Sequence, residues 1–145
     1  MNEARRYLET QVLTAPREQL LLMLLDGAIR FATQARDFAA AGDFDRACPL
    51  NLRAQAIALE LVSALDRSLD AQIFRNLTGL YLFVYRRLVA ANIDRQTGPA
   101  DEALSILGKL RAMWGEAIAR MKSDARSLGE GAAKIIAESE VTLQG

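Results

Sequence analysis

The side chains that most often carry catalysis or bind metals are nearly missing from this 145-residue sequence. It has no histidine and a single cysteine, Cys48. That removes the commonest general base at neutral pH, the commonest metal ligand and any thiolate cluster. The nine glycines stand singly and form no phosphate-binding loop. The sequence therefore predicts no catalytic residue, no cofactor and no metal site, and a protein that is not an enzyme.

Asp26 is a charged residue in an unusual position, because it lies inside an apolar stretch of the sequence. A carboxylate among apolar neighbours needs a partner. We expect it to pair with a basic side chain or to cap a neighbouring backbone group. A small-ligand bundle or an enzyme would need several polar groups that converge in the core, whereas the other acidic residues are scattered at helix ends.

The balance of basic and acidic residues indicates which classes of partner are not expected. The chain has 18 basic and 18 acidic residues, so a nucleic-acid ligand is not expected. Residues 1–10 mix both charges and lack the apolar core of a signal peptide, and the longest apolar run, residues 20–25, is too short to span a membrane. A lone thiol suits a reducing compartment. The predicted location is the cytoplasm, with no membrane insertion.

Four segments of the sequence have helical periodicity, and these predicted helices must carry the residues that bind a partner. They run from about Pro16 to Ala41, from Asp43 to Asp66, from Ala71 to Ile93, and onward from Pro99. The residues predicted to face the core are Leu24, Ala28, Phe31, Ala35 and Phe38 in the first; Ala47, Leu50, Ala54, Ile57, Leu61 and Ala64 in the second; Ile73, Leu77, Leu80, Val84, Leu88 and Ala91 in the third; and Leu104, Leu107, Leu110, Trp114, Ile118 and Met121 in the fourth.

Local signals support these segments. Thr14 is a candidate N-cap for the first helix, Glu18 suits its positive end, and Gly42 suits its C-terminal end. Pro49 conflicts with a regular second helix, so a kink or a late start is expected there.

Short links between helices of similar length favour antiparallel neighbours. The predicted fold is all-α, an antiparallel up-down four-helix bundle with a short N-terminal segment and a C-terminal tail. The expected division is a segment at 1–15, a bundle at 16–122 and a tail at 123–145 that is mobile or a frayed helix. Tyr7, Leu8 and Val12 give the N-terminal segment a weak apolar pattern, and it is expected to lie against the bundle as a lid.

Three helices carry more apolar residues than one core stripe requires. The second stripes are Leu21, Leu22 and Leu25 in the first helix, Leu52, Ala56, Leu59 and Val62 in the second, and Leu82, Tyr85, Val89 and Ile93 in the third. Sideways packing between helices could absorb some of them, but contiguous exposed apolar patches usually mark a binding surface. An amphipathic helix lying in a groove is the expected partner. A homodimer sealed by the same stripes is the alternative.

Several blocks of the sequence resemble one protein family. Residues 14–28, TAPREQLLLMLLDGA, are similar to the opening helix of the flagellin-specific export chaperones, the FliS family, whose usual form is close to TASPxxLxxMLYDGA. Later blocks follow in the family order: RAQAI at 53–57 with Glu60, Leu61 and SLD at 68–70; NL at 76–77, LY at 80–81, RL at 87–88 and AN at 91–92; LR at 110–111, Trp114 and EA at 116–117. The departures are the proline one place early, Leu25 in place of an aromatic residue, Pro49, and a short link from Asp70 to Asn76.

This resemblance implies both the bundle fold and a role. A member of this family would bind the C-terminal helical region of flagellin, keep it from polymerising, and deliver it to the gate of the flagellar type III export apparatus. The resemblance adds Asn92 to the expected partner-binding residues.

Overall fold

The computed structural model of the chain describes residues 16–144, with side chains through residue 140. These residues form four α-helices and no strand: α1 (Arg17–Ala40), α2 (Phe44–Ser63), α3 (Ala71–Asp94) and α4 (Gly98–Gln144). The predicted all-α class and the four-helix bundle are confirmed. None of the helices described combines the length and the apolar character needed to cross a bilayer.

The helix ends follow from local chemistry. Pro16 occupies the N-cap position of α1 without a side-chain cap, and Thr14, the expected cap, lies outside the described residues. Gly42 adopts the left-handed conformation, φ 78°, that lets the chain turn sharply after α1, as predicted. Asp43 then caps α2 by accepting from the Arg46 amide, and Asp70 caps α3 in the same way through Gln72 and Ile73.

Pro49 does not delay the second helix. α2 begins at Phe44 and runs through Pro49 to Ser63 without interruption, so the expectation of a late start was wrong. A proline at this position cannot donate to the carbonyl of Asp45, four residues earlier. Pro49 is exposed, so water can reach this part of the helix surface, which reduces the cost of the missing hydrogen bond.

Polar contacts show that neighbouring helices run in opposite directions. Arg36 Nε lies 2.8 Å from Asp101 Oδ1, and Arg111 Nε lies 2.7 Å from Asp26 Oδ1. From the first ion pair to the second, the residue number falls by ten in α1, from Arg36 to Asp26, and rises by ten in α4, from Asp101 to Arg111. The two helices are therefore antiparallel. The second pair confirms that Asp26 pairs with a base. Because exposed ion pairs contribute only about 0–1 kcal/mol, their main effect here is on register.

α1 and α2 pack closely, and several of the buried residues on these two helices are small. Ala28, Ala32, Ala54 and Ala58 are fully buried, and the two helices approach within 8 Å between Cα atoms. A Cβ placed on Gly27 would lie 3.3 Å from Ile57 Cδ1, which leaves little space at this contact. Larger groups fill the rest of the core, and those that are almost fully buried are Leu25, Leu61, Tyr81, Val84, Leu88 and Leu107.

Most of the predicted core residues are buried or half-buried, but Ala64, Ile73, Leu80 and Met121 are exposed, so their assignment to the core was wrong. In α3 the buried positions are Leu77, Tyr81, Val84, Leu88 and Ala91. Ile73 and Leu80 lie at the edge of that stripe, where periodicity alone does not separate covered from uncovered positions.

The chain divides into two compact units, one ending at Arg111 and the other beginning at Ala112. The first holds α1, α2, α3 and the opening turns of α4. In the second, α4 continues to Gln144, and every side chain from residue 119 to residue 140 is exposed. The tail is therefore helical, while the division at residues 15/16 and 122/123 stays a prediction.

Replacing Pro49 with Ala should raise the free energy of unfolding by about 1 to 2 kcal/mol. Alanine is favoured over proline by about 3 kcal/mol inside a helix, and losing the stiffness that proline gives the unfolded chain offsets part of that gain. Urea denaturation of the two proteins measures the difference. A clear loss of stability would mean that the proline ring makes a contact that α2 requires.

Replacing Ala58 with Leu should destabilise the protein by about 1 to 3 kcal/mol, because Ala58 is fully buried and the larger side chain must displace the core around it. Ala56→Leu is the matched control, since Ala56 is exposed on the same helix, and it should stay within about 0.5 kcal/mol of the original protein. The same denaturation experiment compares them. Equal effects would contradict the close packing of the core around Ala58.

Candidate partner-binding surface

The outer face of α2 is apolar. Leu52, Ala56 and Leu59 follow one another at spacings of four and three, opposite the buried Ala54 and Ala58. Leu52 is 59% exposed and Leu59 is 44% exposed. A helix on the surface of a bundle normally presents polar residues on this face, so α2 carries an apolar surface that its own core does not use.

A second apolar stripe follows the side of α3. Leu82, Tyr85 and Val89 are half-buried, and Ile93, at the end of the helix, is 74% exposed. Side chains in this intermediate range have one part packed against the protein and another part open to solvent. They can contact a partner without leaving their place in the fold.

An amide pair fixes α2 against α3. Asn51 Nδ2 donates to Asn92 Oδ1 at 2.8 Å, and Asn92 Nδ2 donates to the carbonyl oxygen of Cys48 at 3.3 Å. Asn51 is 3% exposed, and its Oδ1 has no hydrogen-bond partner among the described residues. Asn92 is half-buried, and both polar atoms of its side chain are engaged with α2. In this structure, Asn92 therefore joins the two helices that carry the apolar stripes.

The stripes of α2 and α3 together form the surface that we call the α2–α3 apolar surface. The residues predicted for it from the sequence are all at least partly open to solvent: Leu52, Ala56, Leu59, Val62, Leu82, Tyr85, Val89, Asn92 and Ile93. It contains aliphatic and aromatic groups and no arrangement of acid, base and nucleophile. Its chemistry suits the binding of another apolar surface rather than a reaction.

The stripe predicted on α1 is different. Leu25 has no exposed surface, so its expected place on a surface stripe was wrong. It belongs to the buried series that continues through Ala28, Ala32 and Ala35, which keeps Ala28 and Ala35 of the predicted core stripe but has Leu25 and Ala32 in place of Leu24 and Phe31. Leu21 and Leu22 are half-buried. The lid residues Tyr7, Leu8 and Val12 lie outside the described residues.

Sequence reasoning missed a second apolar area, on the other side of α3. Ile73 is 50% exposed, Leu80 37% and Phe83 38%. The first two had been assigned to the core. The signal that could have identified Leu80 is its offset of about 60° from the centre of the buried stripe. Ile73 lies nearer to that centre, but it is in the first turn of α3, which begins at Ala71.

The clearest electrostatic perturbations concern helix packing and turns. The hydrogen bond and charge of Asp101 raise the pKa of Arg36 above its ordinary value. The side-chain hydrogen bond from Ser68, followed by its backbone hydrogen bond, lowers the pKa of Asp66. Among the side chains described, no cluster of three or more acidic or cysteine residues could hold a metal ion.

An open depression of about 390 Å³ lies at the connection between α2 and α3. It is lined by Arg67, Leu69, Ala71, Phe74 and Arg75. These residues provide cationic and apolar contacts but no nucleophile or general base.

Comparison with known proteins gives the family of this chain. Residues 1–121 match the family model described as flagellar protein FliS. The flagellar secretion chaperone FliS of Bacillus subtilis is 30% identical over 128 residues, covering 88% of this chain and 95% of the relative. The protein of the same description from Salmonella typhimurium is 31% identical over 107 residues, covering 73% and 79%. FliSB of Pseudomonas aeruginosa is 29% identical, covering 74% and 85%. The chain therefore belongs to the FliS family of flagellar secretion chaperones.

Proposed function

We propose that this protein binds the C-terminal helical region of flagellin in the cytoplasm, keeps it from polymerising, and delivers it to the flagellar type III export gate. The observation that carries the proposal is the α2–α3 apolar surface, on a protein whose relatives are named flagellar secretion chaperones. The role in delivery rests on family membership, and the binding step rests on this surface as well.

The surface offers apolar area to a partner without rearrangement of the core. Burying a fully exposed large aliphatic side chain contributes about 1.5 to 3 kcal/mol, and each residue here would contribute the share of this that corresponds to its exposed fraction. Leu52, Leu59 and Ile93 are the residues with most area left to cover. An amphipathic client helix that places its apolar face on this surface would supply the complementary contacts.

A client that folds on binding suits an export chaperone. Ordering a disordered segment consumes part of the interaction free energy, so a large contact area need not give a very low Kd. The client could then be released without unfolding the bundle. The buried positions Ala54, Ala58 and Leu61 lie behind the outer face of α2 and can stay packed during capture and release.

Leu59→Glu should raise the Kd for the C-terminal segment of flagellin from the same cell at least about tenfold. The new carboxylate would meet the apolar face of the client and lose its water, which costs several kcal/mol, and each 1.4 kcal/mol is a factor of ten. Leu80→Glu is the matched control, because Leu80 is 37% exposed, close to the 44% of Leu59, and lies on the opposite side of α3 from the α2–α3 apolar surface. Isothermal titration calorimetry measures both.

Thermal melts of both variants separate binding from folding. Each leucine is partly exposed, so each variant should remain folded and keep most of its stability. Folded Leu59→Glu protein that binds flagellin as well as Leu80→Glu protein would contradict the proposed site. Light scattering on the free protein tests the alternative, in which a second copy covers the same surface.

A further inference from the structure

The depression at the α2–α3 connection lies on the same side of α3 as the α2–α3 apolar surface. Arg75 lies seven residues before Leu82, and Leu82 lies seven residues before Val89. Phe74 lies eleven residues before Tyr85. Spacings of seven and eleven residues are close to two and three helical turns, so these side chains leave α3 in similar directions. The depression, which Phe74 and Arg75 help to line, is therefore one end of the apolar surface.

The carboxylates next to the depression are engaged elsewhere. Asp66 accepts hydrogen bonds from the amide and the hydroxyl group of Ser68, at 2.9 and 2.7 Å. Asp70 caps α3 by accepting from the first amides of that helix. Among the described residues, neither Arg67 nor Arg75 forms an ion pair with an acidic side chain. The two guanidinium groups that line the depression therefore keep donors available for an anion.

The lining of the depression suits a carboxylate that is attached to an apolar group. A guanidinium group presents its N–H donors in a planar fork that matches the two oxygens of a carboxylate. Arg75 gives one donor to the neutral side chain of Gln72, at 2.9 Å, which leaves its other donors free. Leu69 and Phe74 add apolar contacts. The volume of about 390 Å³ lies at the low end of the range of ligand pockets.

The last turn of an amphipathic client helix has this chemistry. It combines a free main-chain carboxylate with apolar side chains, and it is also the negative end of the helix dipole. At the opposite end of the apolar surface, Ile93 is followed by one acidic and one basic residue, Asp94 and Arg95. The pair of arginines at the depression therefore favours one of the two directions in which a helix can lie along α3.

We propose that Arg67 and Arg75 bind the C-terminal carboxylate of the flagellin client, whose C-terminal end then lies at the α2–α3 connection. This inference rests on the function proposed above and adds to it the direction of the client and a contact with its last residue. Leu69 and Phe74 contact the apolar side chains next to that carboxylate.

Two forms of one peptide test the carboxylate contact in the full chain. The C-terminal segment of flagellin from the same cell is prepared with a free carboxylate and as the C-terminal amide, which removes the charge and keeps every side chain. Isothermal titration calorimetry at low salt should give a Kd about three- to tenfold higher for the amide, since contacts between partly exposed charges are modest. Equal Kd values would overturn the inference and leave the proposed function standing. Binding of neither form would contradict the proposed function and the inference together.

Arginine substitutions locate the contact. The chain that carries both Arg67→Gln and Arg75→Gln should bind the two peptide forms with Kd values within about twofold of each other. Arg30→Gln is the matched control, because Arg30 is exposed on α1, and it should keep the full difference between the two forms. If the double substitution weakened both forms by the same factor, the arginines would contact an acidic side chain of the client, and the assignment to its C-terminal carboxylate would be wrong.

Discussion

Close packing between α1 and α2 is the constraint on which much of the structure depends. Gly27 comes close to Ile57 where the two helices meet. Most of the buried positions of α2 hold alanine or an amide side chain, whereas its leucines at positions 52 and 59 are exposed. α2 therefore has small residues on its inner face and an apolar surface on its outer face.

The polar side chains between helices determine helix register and orientation more than they add to the free energy of unfolding. The ion pairs of Arg36 with Asp101 and of Arg111 with Asp26 fix α4 against α1, and the amide pair of Asn51 and Asn92 fixes α3 against α2. Sliding one helix by a residue would break these contacts while changing the apolar contacts less. The α2–α3 apolar surface keeps its shape because the two helices that form it are held in register from the side of the core.

Most of the fold could be predicted from the sequence, because its signals are local. The spacing of apolar residues, the caps at Asp43 and Asp70, and Gly42 after α1 each act within a few residues. The errors arose where a distant helix decides the outcome. Leu24 and Leu25 are neighbours in one apolar run, and only the position of the adjacent helices makes Leu25 the buried one. For the same reason, Leu80 fits a helical core pattern but is left uncovered.

The sequence predicted the α2–α3 apolar surface only in the sense that α2 and α3 contain more apolar residues than one core stripe requires. The sequence indicated which residues exceeded one core stripe, but the contact between α2 and α3 that brings two stripes together depends on tertiary structure. The sequence pattern also did not predict that α4 continues as a regular helix past residue 122, because this part contains two glycines and many small residues.

Site-specific photo-crosslinking in cells that make flagellin tests the central claim most directly. A photoreactive amino acid is placed at position 59 in one variant and at position 80 in another, since these two leucines have similar exposure on different sides of the bundle. If the client binds the α2–α3 apolar surface, position 59 should crosslink to the C-terminal region of flagellin and position 80 should not. A flagellin crosslink from position 80 alone would contradict it, because the client would then lie on the opposite side of α3.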